Sequence, residues 1–572
     1  MNPAAPRSSR RPLWIALQAA LILSVGLWVF GPAVRGGWLW DDNQEVTENA
    51  VLRDPAGLAK IWAGAAGADY FPLKSTVQWF EWRLWGDAPA GYHAASVALH
   101  LLSALLFWAL LARLGLRYAW WGGLVFAVHP LVVESVAWAA ELKNTLSLPF
   151  LLLAMLAYVA YDQRRDRPSA TGFYLAALAG FLLAMLSKSS VVMFPVVLLL
   201  HAWWRRGRID RRDAAASAPF FAVSVLLGLV TLWFQHHRAM QPELVLAGGP
   251  LARFAGAGLA LAFYLGVALW PAGLCPIYPR WDFDPPSALQ LLPWVGFTAL
   301  AVFLWRRRVT WGRPVLFAAG CFFLNLLPVV GFVTITYMHI TWVADHFAYV
   351  ALLGLVGLAA GAAGAAQAAL DRSTRVPDWL WTGGLLGVAL VLAAESRAYV
   401  RVFQNDDTLW SYTVEHNPGA WSAHYNLATY LAKRGVLDRA RGEFAAALRL
   451  RPGFAEAHFN LGNTYALGGD FAAARAEYEE TLRINPAYAD AHVGLGSLDR
   501  QANDLRDAVT EYQAALRLRP DYAQVWAILA DTLFIAGHGP EAIGDYEQAL
   551  RFAPDDPHIR ANLAIARQSL GR

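Results

Sequence analysis

PLWIALQAALILSVGLWVFGPAV, residues 12–34, contains no charged side chain. About 20 apolar residues carry a helix across a hydrocarbon core roughly 30 Å thick, so this stretch predicts a first membrane span. Directly behind it comes WLWDDNQEVTEN, residues 38–49, which sets two adjacent carboxylates, Asp41 and Asp42, just outside the lipid. Arg7, Arg10 and Arg11 ahead of the run resemble a signal peptide. The run is too long and lacks a small-residue cleavage site, and the span is expected to be retained.

The rest of the chain repeats this character. With 57% hydrophobic residues, 26 Trp, 16% charge and mean hydropathy +0.34 over 572 residues, it falls outside soluble globular composition and reads as a membrane protein. The net charge of +4 is small, and the arginines cluster between apolar segments, so nucleic-acid binding is not indicated. Cys275 and Cys321 both lie in apolar stretches, which argues against a disulfide framework or a cysteine zinc site.

From about residue 400 the periodicity changes. Pro418, Pro452, Pro486, Pro520 and Pro554 recur every 34 residues, the period of tetratricopeptide repeats (TPRs). Small residues recur at the same period (Ala428, Gly462, Gly496, Ala530, Ala564 and Ala440, Ala474, Ala508, Ala542), as do the aromatic knobs Phe444, Tyr478, Tyr512 and Tyr546. Residues 417–572 therefore resemble four TPRs and a truncated fifth, with Thr481 where the other repeats place Ala447, Ala515 and Ala549. Such stacks bury a continuous core and present a concave surface that usually takes peptide. The predicted fold is all-α: a polytopic membrane domain over 1–395 with a first outer loop at 35–92, a linker at 396–416, and a TPR solenoid.

Beyond the first span, apolar runs centre near residues 103, 126, 152, 178, 196, 225, 264, 296, 324, 357 and 387. Short arginine-rich loops belong on the cytoplasmic side. This assigns Arg113 and Arg117; Arg164, Arg165 and Arg167; Arg205, Arg206, Arg208, Arg211 and Arg212; Arg306, Arg307, Arg308 and Arg313; and Arg372 and Arg375. Alternation holds if residues 254–276 form a re-entrant or in-plane helix, leaving about 11 spans, a cytoplasmic N-terminus and the TPR half outside. Asp41, Asp42, the HPLVVES loop, Lys188, the IYPRW loop and ADHFAY then share the outer face.

Ionisable groups at membrane depth are costly and usually mark a function. Lys188 in LSKSSVVMFP has almost no loop around it, although a lysine snorkelling to headgroups would look the same. His129-Pro130 with Glu134 ends a span, where the proline alone could break the helix. In YFPLKS, Lys74 stands beside an aromatic pair typical of an interface belt. Asp345 and His346 open another span and could serve as a polar cap. No HExxH, GxSxG, Walker or dinucleotide-binding pattern occurs.

In order along the chain, WDD with a following Asn (Trp40, Asp41, Asp42, Asn49), YxPL (Tyr70, Pro72, Leu73), His93 with Leu99 and His100, FAVHPxxVESVAW (Phe126 to Trp138), LSK (Leu186 to Lys188), WPxxL and YP (Trp270, Pro271, Leu274, Tyr278, Pro279), ADHFAY (Ala344 to Tyr349) and C-terminal TPRs resemble the TMTC group of transmembrane TPR proteins, which have a C-type glycosyltransferase fold. The resemblance implies transfer of a sugar from a polyprenyl-phosphate carrier, in the eukaryotic members mannose to protein Ser/Thr. The chain departs from the family at Ser189, where an acidic residue is usual, at His346, where an arginine is usual, and at Glu141 to Asn144, where Arg-Lys-Asp is common.

On this reading Asp41 or Asp42 takes the acceptor proton. Lys188, with Lys74, Arg280 or a protonated His346, neutralises the departing lipid phosphate. Asn49, His129, Glu134 and Asp345 support them. The expected partners are the polyprenyl-phosphate sugar, an acceptor polypeptide held by the TPRs, and the bilayer, with the chain in a bacterial inner membrane and its TPRs periplasmic. No cofactor is expected, and the paired carboxylates decide nothing about a metal ion. The alternative is a non-catalytic membrane scaffold whose TPRs recruit outer-compartment proteins.

Overall fold

The structure, a computed structural model, describes residues 11–65, 67–239, 248–373 and 376–571; Arg7, Arg10 and Arg375 lie outside them. Every regular element among the described residues is helical. The chain divides into two compact units, Met1–Asn417 and Pro418–Arg572.

In the first unit, proline punctuates the helices in two ways. It opens Pro72–Trp85, Pro89–Arg113 and Pro250–Leu269, where its missing N–H would have had no intrahelical partner. Pro130 does the reverse. His129 before it is extended (φ −74°, ψ 132°), the helix Ala119–Val128 ends there, and the following turn departs at 56°. Among the described residues ten helices are long and apolar enough to cross a membrane, or eleven if that bent pair is one span.

One of the ten is Pro250–Leu269, which overlaps the run 254–276 expected to be re-entrant or in plane. Ala252 near its start packs with Met338 and Trp342, and the Tyr264 hydroxyl donates to the Ala344 carbonyl at 3.2 Å. Ala268 near its end accepts from the His129 ring at 3.1 Å. The start, middle and end of this helix thus all contact the turns around 129 and 338–344. The apolar run near 196 forms only the 13-residue helix Phe194–Arg206, about 20 Å long and short of a full crossing.

At the opposite end of the bundle the arginine clusters close on carboxylates. Arg165 meets Asp213 at 2.7 Å, Arg206 meets Asp162 at 2.8 Å, and Asp213 is also the second half of a capping box with Asp210 at the start of Arg211–Phe234. Between the two ends the core is aromatic, with Phe30, Phe126 and Tyr349 around His100. Residues 396–416, expected as a linker, are not one. They complete the helix Asp378–Val400 and form Asp406–His416, whose Trp410 is buried within the first unit. A run that buries a tryptophan belongs to a core.

The second unit is four antiparallel helix pairs and a final single helix, from Trp421–Lys433 to Pro557–Ser569. The 34-residue pattern has a direct packing cause. Ala440, Ala474, Ala508 and Ala542 are fully buried. A Cβ at Gly462 would stand 2.7 Å from the Tyr478 ring, and one at Gly496 would stand 2.9 Å from the Tyr512 ring. Thr481 fits in place of alanine because its hydroxyl bonds the Glu477 carbonyl at 2.9 Å.

Candidate functional site

Trp40 is the local reason the two aspartates diverge. Its φ of 48° lies in the left-handed region, costly for a bulky side chain. Packing holds it there: the indole stacks on Trp138 (5.1 Å, 7°) and meets Trp410 edge-on (5.0 Å, 74°). Its backbone N–H donates to Asp406 Oδ1 at 3.2 Å.

The following carboxylates have separate roles. Asp42 is fully buried; its Oδ2 accepts from the Leu39 N–H at 2.9 Å and its Oδ1 from the Ala140 N–H at 2.6 Å. Both oxygens are thus occupied in tying the first loop to the turn before Leu142–Asp162. Asp41 Oδ1 is buried and has no hydrogen-bond partner among the described residues. Burial raises the Asp41 carboxyl to about 6; Lys143 opposes the rise, while Glu45 and Glu141 add to it. Burial, with Asp41 next, also pushes Asp42 well above the carboxylate range.

Lysines face these acids. The helix Ala170–Ser187 stops at the LSK motif, leaving Lys188 extended (φ −160°, ψ 132°) at a helix C-terminus, where a cation is favoured. Lys188 Nζ lies 3.3 Å from Glu141 Oε2, and Lys143 Nζ lies 2.9 Å from Glu141 Oε1. Asn144 donates to Glu141 Oε2 at 2.5 Å. Burial lowers the Lys188 amine to about 8 against the pull of Glu141. Lys74 pairs with Glu45. Burial would raise Glu45, but Lys74 and Lys143 outweigh it and hold that carboxyl below its ordinary value.

Asp345 and His346, adjacent in a short 3₁₀ turn, have different partners. Asp345 accepts from the hydroxyls of Tyr278 at 2.8 Å and Tyr399 at 3.1 Å. The His346 N–H donates to Glu134 Oε2 at 2.9 Å, its Nδ1 lies 3.1 Å from Glu134 Oε1, and its ring meets Tyr337 edge-on at 5.2 Å. Asn144 also reaches the His346 carbonyl at 3.4 Å, which links this turn to Glu141.

Other expected residues stand apart. Arg280 is exposed, donates to the His339 carbonyl at 2.9 Å and lies over the Trp342 ring. His129 uses both ring nitrogens, accepting from the Leu131 N–H and bonding the Ala268 carbonyl, so it shapes the bent pair. Asn49 caps the short helix Ala50–Arg53 through the Val51 N–H at 3.1 Å. Sequence reasoning missed Glu45, Glu141 and Lys143 as members of the cluster. The last two carried a signal, opposite charges two positions apart between apolar runs. Glu45 carried none, since its partner lies 29 residues away. Among the described residues no group of three or more His, Cys, Asp or Glu side chains is arranged to hold a metal ion.

The tetratricopeptide repeat model matches residues 408–453, 425–489 and 493–557. Protein O-mannosyl-transferase TMTC1 of Homo sapiens is 24% identical over 35% of this chain and 25% of its own length, and the human TMTC4 enzyme is 26% identical over 32% and 28%. The chain is similar to the TMTC proteins. A further relative, the Protein O-mannosyl-transferase F38B6.6 of Caenorhabditis elegans, is 22% identical over 24% of this chain and 22% of its own. The TMTC-like chain thus aligns with about a quarter of the length of these curated relatives. Among solved structures, the crystal structure of MamA covers 26% of it at 18% identity and TM-score 0.25, and the TPR protein TTC0263 of Thermus thermophilus covers 32% at 25% identity and TM-score 0.25; the matches span 85% and 95% of those chains.

Proposed function

We propose that this chain is an integral-membrane glycosyltransferase that moves a sugar from a polyprenyl-phosphate carrier to a protein Ser or Thr hydroxyl. Mannose is the sugar suggested by the relatives' names. The observation that carries the reading is Asp41, a carboxylate with a buried oxygen free of hydrogen bonds, beside Asp42, whose oxygens are both used by the backbone. As the acceptor oxygen bonds to the anomeric carbon, Asp41 takes its proton. The bond from that carbon to the phosphate oxygen breaks, and its electron pair leaves with the lipid phosphate. Lys188 and Lys143, with His346 when protonated, offset the developing negative charge.

Glu141 holds the two lysines in place, and removing one partner of such a buried pair costs about 3–5 kcal/mol. The TPR unit, in the same chain, captures the acceptor polypeptide and raises its effective concentration. The arginine-rich loops favour an N-terminus in the cytoplasm and TPRs outside a bacterial inner membrane.

The test is transfer by the purified chain from a radiolabelled polyprenyl-phosphate mannose to outer-compartment protein, beside Asp41→Asn. Label on protein with the wild type and none with the variant supports the enzyme. Absence of transfer from any polyprenyl-phosphate sugar, with specific proteins still retained by the TPR unit, returns the reading to a scaffold.

A further inference from the structure

Away from the acidic cluster, the helices Pro89–Arg113, Leu142–Asp162, Phe194–Arg206, Gly312–Leu326 and Leu352–Ser373 leave a cavity of about 450 Å³ between them. Its wall is almost wholly apolar. Along Leu352–Ser373 it follows Leu353, Gly357, Gly361 and Ala365, a length of about 18 Å at the helix rise. That is roughly one leaflet of a hydrocarbon core about 30 Å thick, the shape of a single extended chain lying parallel to the helices.

One wall residue is out of place in such a cavity. His201 is 7% exposed, and neither ring nitrogen has a hydrogen-bond partner among the described residues. Its ring meets Trp204 at 5.8 Å and Phe317 at 6.2 Å, so aromatic packing holds it without satisfying its nitrogens. A buried imidazole left with an idle donor and an idle acceptor is costly, and a ligand oxygen would remove the cost. His201 stands at the arginine-rich end of the bundle. Arg205 lies 5.9 Å from the Trp204 ring centroid, and Arg313 falls between the wall residues Trp311 and Pro314. Neither arginine forms an ion pair among the described residues, unlike Arg165 and Arg206 nearby.

We propose that this cavity holds one acyl chain of an anionic phospholipid, with the lipid phosphate drawn to Arg205 and Arg313 and an ester or glycerol oxygen hydrogen-bonded to His201. Basic pockets between membrane helices recognise anionic headgroups in this way. The site lies at the other end of the bundle from Asp41 and Lys188, and it does not depend on the transfer reaction. A polyprenyl phosphate offers the same chemistry, a phosphate on a hydrocarbon chain, and the experiment separates the two.

The full-length protein is purified in detergent, exchanged with phosphatidylglycerol, phosphatidylcholine or a polyprenyl phosphate, and examined by native mass spectrometry. The expected result is one retained phosphatidylglycerol per chain, preferred over phosphatidylcholine by about fivefold for each arginine engaged. Gly361→Leu fills the cavity and should lower retention about tenfold, with little strain, because the nearest atom to a Cβ there is Leu116 Cδ2 at 3.9 Å. The double change Arg205→Gln/Arg313→Gln, which removes no core side chain, should abolish the preference for phosphatidylglycerol. His201→Phe should lower retention of both phospholipids. Equal retention by the wild type and Gly361→Leu, equal retention of the two phospholipids, or displacement of phosphatidylglycerol by an equimolar polyprenyl phosphate would each overturn the proposal.

Discussion

Asp41→Asn should cut transfer steeply and, at neutral pH, make the protein harder to unfold. The carboxyl is displaced by burial from its ordinary value of 3.8 to about 6. A folded-state value above the unfolded one means that protonation stabilises the fold. That stabilisation is fully present below about pH 3.8 and is lost as the pH rises through about 6. At pH 7 the ionised carboxylate therefore costs the folded state up to about 3 kcal/mol, because each of the roughly two pH units between the unfolded and folded values is equivalent to about 1.4 kcal/mol. A neutral amide of the same shape does not carry that cost. Thermal unfolding of both proteins in the same detergent, read at pH 7 and near pH 4, should show a higher Tm for the variant at pH 7 and convergence at the lower pH. Transfer should fall by about 10²–10⁴-fold, the usual contribution of a general base. A variant that is less stable at pH 7, a Tm difference that does not change with pH, or undiminished transfer would refute the reasoning.

Asp42→Ala should move stability the other way. It leaves the buried Leu39 and Ala140 N–H groups without their acceptors, and the Tm should drop by the equivalent of about 1–3 kcal/mol in the same unfolding experiment. The transfer rate of the wild type should be bell-shaped in pH, rising as Asp41 ionises near 6 and falling as Lys188 loses its proton near 8; Lys188→Ala should lower kcat about 10²-fold and remove the alkaline limb. In the TPR unit, His458 Nδ1 lies 2.6 Å from Glu477 Oε2, and this bond raises the imidazole above its ordinary 6.5. Its contribution is present below 6.5 and lost as the pH rises through the raised value, so His458→Gln should lower the unfolding temperature of that unit more at pH 6 than at pH 8, by calorimetry.

Much of the site is visible in the sequence as charge in the wrong solvent. Asp41, Asp42, Lys188, Glu134 and His346 all stand where an apolar run begins or ends, and the structure gathers them at one end of the bundle. Their individual roles are not visible there. Asp42 is a tether only because the Ala140 N–H, 98 residues away, meets its oxygen. Lys74 reads as a contact to the departing phosphate in the sequence, and the fold gives it to Glu45. Arg280 has the right charge next to the YP pair of the resemblance, yet its guanidinium serves the His339 carbonyl.

The sequence by itself determined the two solvents of this chain. Runs of uncharged residues and a 34-residue period are local properties, repeated often enough that helices with a lipid-facing surface and a stacked solenoid are their low-energy outcomes. Only the tertiary structure decided which of two adjacent carboxylates has a free oxygen, that residues 396–416 belong to a core, and that five helices enclose a cavity with an unsatisfied imidazole at one end. Hydrogen bonds, ion pairs and cavities form between segments far apart in the chain, and their energies depend on distance and burial, which no local pattern encodes.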